Sequence, residues 1–198
     1  MRWLFSAGRS WTVPKIQIEF SACFLLALGL LLLPLDWMVA GFLAAAVHEM
    51  SHYAAAHLLG VSVYAIRADF AGLQMELSPL TPREEWMVAA AGPVASLLLT
   101  GTVSVYPQLA VCGLAHGIYN LLPVWPMDGG RILRGLFPGR EELYSLVEIG
   151  VLVILMSLGI WLWIGKNLGI LPLCMVMFLT VKAFRRKIPC IADKEGVQ

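Results

Sequence analysis

Charge is scarce in this sequence. Asp, Glu, Lys and Arg make up 14% of its 198 residues and hydrophobic residues 59%. A soluble domain carries roughly 25% charged residues. Mean hydropathy is +0.78. A soluble core of this size cannot bury so much apolar surface, which excludes a water-soluble enzyme and a disordered chain. The formal net charge of +1 supplies no basic field for DNA or RNA, so no nucleic-acid partner is expected. Cysteine is sparse as well. Cys23, Cys112, Cys174 and Cys190 form no CxxC pair, which argues against a disulfide framework and a cysteine-ligated metal. Residues 1–20 lack the unbroken apolar stretch and small-residue cleavage site of a signal peptide, so a retained N-terminus is expected. There is no internal repeat and no low-complexity segment.

What is present is a series of long apolar runs. A spanning helix needs about 20 apolar residues, and six candidates fit: 16–35, 37–59, 86–105, 108–122, 143–163 and 168–184. The expected fold class is an all-α polytopic membrane protein with six transmembrane helices. The six runs fill the chain, so 1–198 reads as a single membrane-embedded domain with its core at 37–135. Lys and Arg mark the cytoplasmic side. With the N-terminus inside, 13 of the 14 Lys and Arg face the cytoplasm and Lys166 alone lies outside. Both termini are therefore expected in the cytoplasm. The connection after the second run departs from this plan. Residues 61–67 and 73–77 read as two short strands around Ala71-Gly72, and the second alternates apolar and polar residues. A small β-hairpin at the membrane surface between helices 2 and 3 is expected, with a free edge able to accept an extended peptide.

The sharpest feature lies in the second run: His48-Glu49-Met50-Ser51-His52. On a helix, positions i and i+4 share a face, so His48 and His52 can aim two imidazoles at one ion. Glu49 lies about 100° around the helix, within reach of a water at that ion. Zinc takes a third protein ligand and leaves its fourth position to water, whose pKa it lowers to about 7. An ionisable residue in lipid costs about 2.5 kcal/mol or more, so three of them at metal spacing read as function.

The third ligand must come from another span. Glu19, Asp36, His57, His116, Asp128 and Glu148 are the candidates. Asp128 stands out in Asn120-Leu-Leu-Pro-Val-Trp-Pro-Met-Asp128-Gly-Gly. Pro123 and Pro126 end the helix. Gly129-Gly130 permits a tight turn with φ > 0, and irregular backbone is tolerated in a membrane where it lines a polar cavity.

The ordered set of HEMSH, Ala91-Gly92-Pro93 and NLLPVWPMDGG resembles the site-2 protease family of intramembrane zinc metalloproteases. Within that family it is most similar to the bacterial group of the stage IV sporulation protease FB. The resemblance covers residues 40–135. It implies one Zn²⁺ per chain held by His48, His52 and Asp128, with Glu49 activating water. It also implies that Asn120 holds substrate or stabilises the oxyanion, and that the hairpin docks substrate in extended form. Met127 stands where leucine is usual before Asp-Gly, and Ser96 where an asparagine often follows Gly-Pro. No PDZ or CBS domain of the kind found in relatives is expected within residues 1–198.

These readings predict a bacterial cell-membrane, multi-pass enzyme that hydrolyses peptide bonds in or near transmembrane segments. Its partners are a transmembrane protein substrate, the lipid bilayer and a regulator protein. Release of a membrane-held transcription factor follows by family analogy alone. The competing readings are a metal-ion transporter and a catalytically inactive zinc-dependent scaffold. Among weaker candidates, His57 faces away from His52, and His116 shares a face with Asn120 and reads as a structural bond. Glu148 reads as a carboxylate snorkelling to the interface. Gly92-Pro93 reads as a close-packing and kink site, and Arg185-Arg186-Lys187 as a topology anchor.

Overall fold

The computed structural model describes residues 15–69 and 72–166. In chain order the elements are β1 (Lys15–Ile18), α1 (Phe20–Leu32), α2 (Leu35–Leu58), β2 (Val63–Asp69), β3 (Gly72–Leu77), α3 (Pro82–Leu98), α4 (Pro107–Asn120), α5 (Asp128–Leu136) and α6 (Glu141–Lys166), with a 3₁₀ turn at Leu99–Thr102 after α3. The expected run at 168–184 lies outside the described residues. The chain divides into two compact units, with the boundary after Ile118.

In the first unit, α2 turns one narrow stripe inward: Ala40, Ala44, His48, His52 and Ala56 are its buried residues. Each spacing in that stripe is four or a multiple of four, so the residues form one ridge along the helix. Small side chains above and below the histidines let a neighbouring backbone come close. That neighbour is α3, whose buried residues are Val88, Ala89, Gly92, Pro93 and Ser96. Thr81 starts α3 with a capping box. The Glu84 N–H donates to Thr81 Oγ1 at 3.3 Å, and the Thr81 N–H to Glu84 Oε2 at 2.9 Å. Pro82 fills the first turn, where no backbone donor is needed. α2 stops at Gly60, which takes φ of 70°. There the Gly60 N–H bonds the His57 carbonyl and the Val61 N–H the Ala56 carbonyl, which is a Schellman ending.

β2 and β3 pair antiparallel, and β1 joins β2 in parallel with Lys15 opposite Ala65. Residues 15–18 are thus strand, where the sequence predicts the head of a spanning helix. The physical reason is visible in Lys15-Ile16-Gln17-Ile18, which alternates polar and apolar with the period of a strand. The fold is therefore mostly helical with a three-stranded sheet, not all-α. Ala56, Val61, Val63 and Val88 form the core beneath the sheet.

In the second unit, the end of α4 leads through residues 121–127 into α5 and then α6. Asp128 is the first residue of α5. Gly129 and Gly130 were expected in a turn with φ > 0. They instead belong to the helix, and among the described residues Gly60 and Gly139 are the glycines with positive φ. Their missing side chains serve close approach. A Cβ on Gly129 would run into the Leu121 carbonyl oxygen, and one on Gly130 would stand 3.0 Å from the Val124 carbonyl.

By length and composition, one helix among the described residues suffices to cross a membrane: Glu141–Trp161, in α6. α1 has 13 residues and α4 14, about 20 Å each, against a hydrocarbon core of about 30 Å. α2 has 24 residues, but His48, Glu49 and His52 lower its hydropathy.

Candidate metal centre

His48 and His52 are 2% and 6% exposed. Each ring is held by the nitrogen that faces away from the other. His52 Nδ1 donates to the Val88 carbonyl at 2.7 Å. A carbonyl only accepts, so this bond puts the proton on Nδ1 and leaves Nε2 as the electron-pair donor. His48 Nδ1 pairs with Ser96 Oγ at 2.9 Å. The two Nε2 atoms then face each other at 3.0 Å. Two imidazoles on one tetrahedral zinc, at about 2.0–2.1 Å each, stand roughly 3.3 Å apart. The pair thus fits a shared ion, and the bonds to Val88 and Ser96 are the outer support that metal-ligating histidines require.

Gly92 makes this arrangement possible. A Cβ there would collide with His52 Nε2 and lie 2.7 Å from His48 Nε2. The close-packing role expected of Gly92-Pro93 is therefore directed at the two imidazoles. His116, on α4, places its ring edge-on to His48 with centroids 4.5 Å apart. Glu49 is half-buried beside the histidines on α2, and His57 is exposed at its end. His57 lies against Tyr53, ring centroids 6.5 Å apart, so it does face elsewhere.

Asp128 and Asn120 belong to the second unit. Asp128 is 6% exposed, and its Oδ1 lies 3.7 Å from the Arg131 guanidinium. The N-terminus of α5 carries partial positive charge that favours a carboxylate there. Asn120 closes α4 and is half-buried. Glu148 departs from its expected role: instead of snorkelling it is buried and accepts the Trp125 backbone N–H at 3.1 Å. Two imidazoles and one carboxylate, His48, His52 and Asp128, are a donor set whose chemistry fits one Zn²⁺.

Ser96 and the Val88 carbonyl are the functional groups missed in the sequence. A backbone carbonyl leaves no sequence signal. Ser96 did leave one, a hydroxyl in an apolar run four residues after Gly92.

Comparison with known proteins agrees with this chemistry. Residues 100–162 match the model of Peptidase family M50. The chain is 31% identical over 139 residues to Rip3 of Mycobacterium tuberculosis, which bears a zinc metalloprotease name, covering 57% of this chain and 35% of that one. It is 26% identical over 187 residues to stage IV sporulation protein FB of Bacillus subtilis, covering 86% of this chain and 65% of that one. The chain thus spans between about a third and two thirds of these relatives. Among solved structures, the site-2 protease from Methanocaldococcus jannaschii shares the fold, with a TM-score of 0.61 and 22% identity over 89% of this chain and 93% of that one. Family match, named relatives and shared fold all point the same way: the chain is similar to the zinc metalloproteases of Peptidase family M50 and shares the fold of a site-2 protease.

Proposed function

We propose that this chain is an intramembrane zinc metalloprotease that hydrolyses peptide bonds in or near transmembrane segments of other proteins. The observation that carries the reading is the imidazole pair of α2, each ring braced at Nδ1 and the two Nε2 atoms 3.0 Å apart. His48, His52 and Asp128 would hold the zinc. Bound there, the ion supplies a Lewis acid that polarises a carbonyl and makes water acidic.

The rest belongs to the chain's own residues. Glu49 takes a proton from the attacking water as the new C–O bond forms. It then returns the proton to the leaving amine nitrogen as the C–N bond breaks. The Asn120 side-chain amide donates to the carbonyl oxygen as charge builds on it. A substrate helix hides its carbonyls in hydrogen bonds and must unwind to react. An edge of the three-stranded sheet, lying at the membrane surface, offers main-chain bonds to the unwound segment.

In this reading both units act as one membrane-embedded catalytic domain. It crosses a bacterial cell membrane six times with both termini in the cytoplasm, and its substrates include membrane-held transcription factors freed to the cytoplasm.

The test is co-expression with candidate single-span substrates. Glu49→Gln should lose cleavage by about 10²–10⁴-fold while zinc content stays near one ion per chain. Full cleavage by that variant would overturn the mechanism. Metal flux in proteoliposomes without proteolysis would favour a transporter.

A further inference from the structure

We infer that Glu148 is a positioning residue, one that sets the Asp128 carboxylate for metal binding by tying down the loop in front of it. The inference rests on the reading of Asp128 as a zinc ligand.

Glu148 sits within the long apolar helix α6 and is 8% exposed. A buried carboxylate in such a helix is costly unless it is bonded, and is presumed to have a task. Its Oε1 accepts the Trp125 backbone N–H at 3.1 Å. That N–H lies in a segment poor in donors, because Pro123 and Pro126 have none. The neighbouring donors turn inward on the loop itself. The Val124 N–H goes to the Leu122 carbonyl and the Met127 N–H to the Val124 carbonyl, both at 2.8 Å. Glu148 is thus an external anchor of a loop whose next element opens with Asp128.

A second contact from the same helix face holds the far end of α5. Tyr144 is one turn before Glu148, so the two share a side of α6. Its hydroxyl donates to the Arg134 carbonyl at 3.4 Å. The Arg134 guanidinium lies 5.2 Å from the Trp125 ring centroid and 5.8 Å from that of Tyr144. α6 therefore grips α5 at both ends, through Trp125 before its start and Arg134 near its finish. Gly129 and Gly130 seat the start of α5 directly on the loop backbone, so a displacement at Trp125 passes to Asp128 without a flexible side chain to absorb it. Removing an outer support of a metal ligand costs about 10–100-fold in affinity.

The experiment uses the full chain in detergent micelles with zinc as the probe. Glu148→Ala should weaken zinc binding by about 10–100-fold. Glu148→Gln keeps an acceptor oxygen and should stay near wild type. In an Asp128→Ala background, Glu148→Ala should add no further loss, because both act through one carboxylate. In the metal-free protein, exchange of the Trp125 amide should be slow in the wild type and in Glu148→Gln, and fast in Glu148→Ala. Wild-type zinc affinity in Glu148→Ala, alongside a loss in Asp128→Ala, overturns this inference alone. So does a fast-exchanging Trp125 amide in the wild type, which can be read even if Glu148→Ala does not fold. An equal loss in the Asp128→Ala background also overturns it, since that marks general destabilisation. Unchanged affinity in Asp128→Ala overturns the ligand reading and this inference with it.

Discussion

α2 carries its two imidazoles on a long regular helix, whereas Asp128 opens a nine-residue helix behind a loop bracketed by prolines. The first arrangement takes its geometry from the helix: positions i and i+4 share a face, and cross-helix bonds to Val88 and Ser96 fix the rings. The second has no such repeat and must be held from outside, by Glu148 and Tyr144. Both regions nonetheless use glycine for the same end, removing a Cβ where another group must pass. In the first the group is a pair of imidazoles, and in the second a backbone carbonyl.

Paired glycine substitutions should give the largest effects and break the comparison if it is wrong. Gly129→Ala and Gly92→Ala should each lower stability by about 1–3 kcal/mol through overpacking, read as thermal unfolding in micelles. Only Gly92→Ala should misplace the imidazoles directly and abolish zinc retention even in protein that folds. A Gly92→Ala variant with wild-type zinc content would show that the rings lie elsewhere. Next comes Ser96→Ala, which removes the partner of His48 Nδ1. Zinc affinity should fall by about 10-fold, measured by competition with a chelator, while the fold persists. The smallest effect is expected from Thr81→Ala at the exposed start of α3. It should cost about 1 kcal/mol through the lost cap and leave zinc affinity unchanged. A matching loss of zinc there would mean that α3 positions the site through its whole length and not locally at Val88, Gly92 and Ser96.

The pairing of the two histidines was legible because a five-residue pattern on a helix fixes relative direction. The loop before Asp128 was legible in outline only. Pro123 and Pro126 announced an irregular stretch, but Gly129-Gly130 resembles a turn by propensity. It becomes helix because the backbone of 121–124 packs against it, a tertiary effect no local rule contains. Glu148 was misread for the same reason: its acceptor role depends on a backbone N–H far along the chain. The spans show the converse. Six apolar runs are evident in sequence, yet one described helix qualifies by length and composition, partly because the site's own histidines and glutamate depress the hydropathy of α2. At β1, alternation over four residues was too brief to stand out against the apolar run that follows it.

The parallel pairing of β1 with β2 has a kinetic consequence. Gln17 reaches its partner Arg67 across a sequence separation of 50 residues, with both α1 and α2 in between. As synthesis proceeds, the first strand must wait, unpaired, until two helices and the start of the hairpin have emerged. Closing so long a loop before any pairing bond forms is entropically slow. Completion of the sheet is therefore a late event in the maturation of the first unit, and a substitution at Lys15–Ile18 would loosen the finished sheet more than it would slow the folding that precedes it.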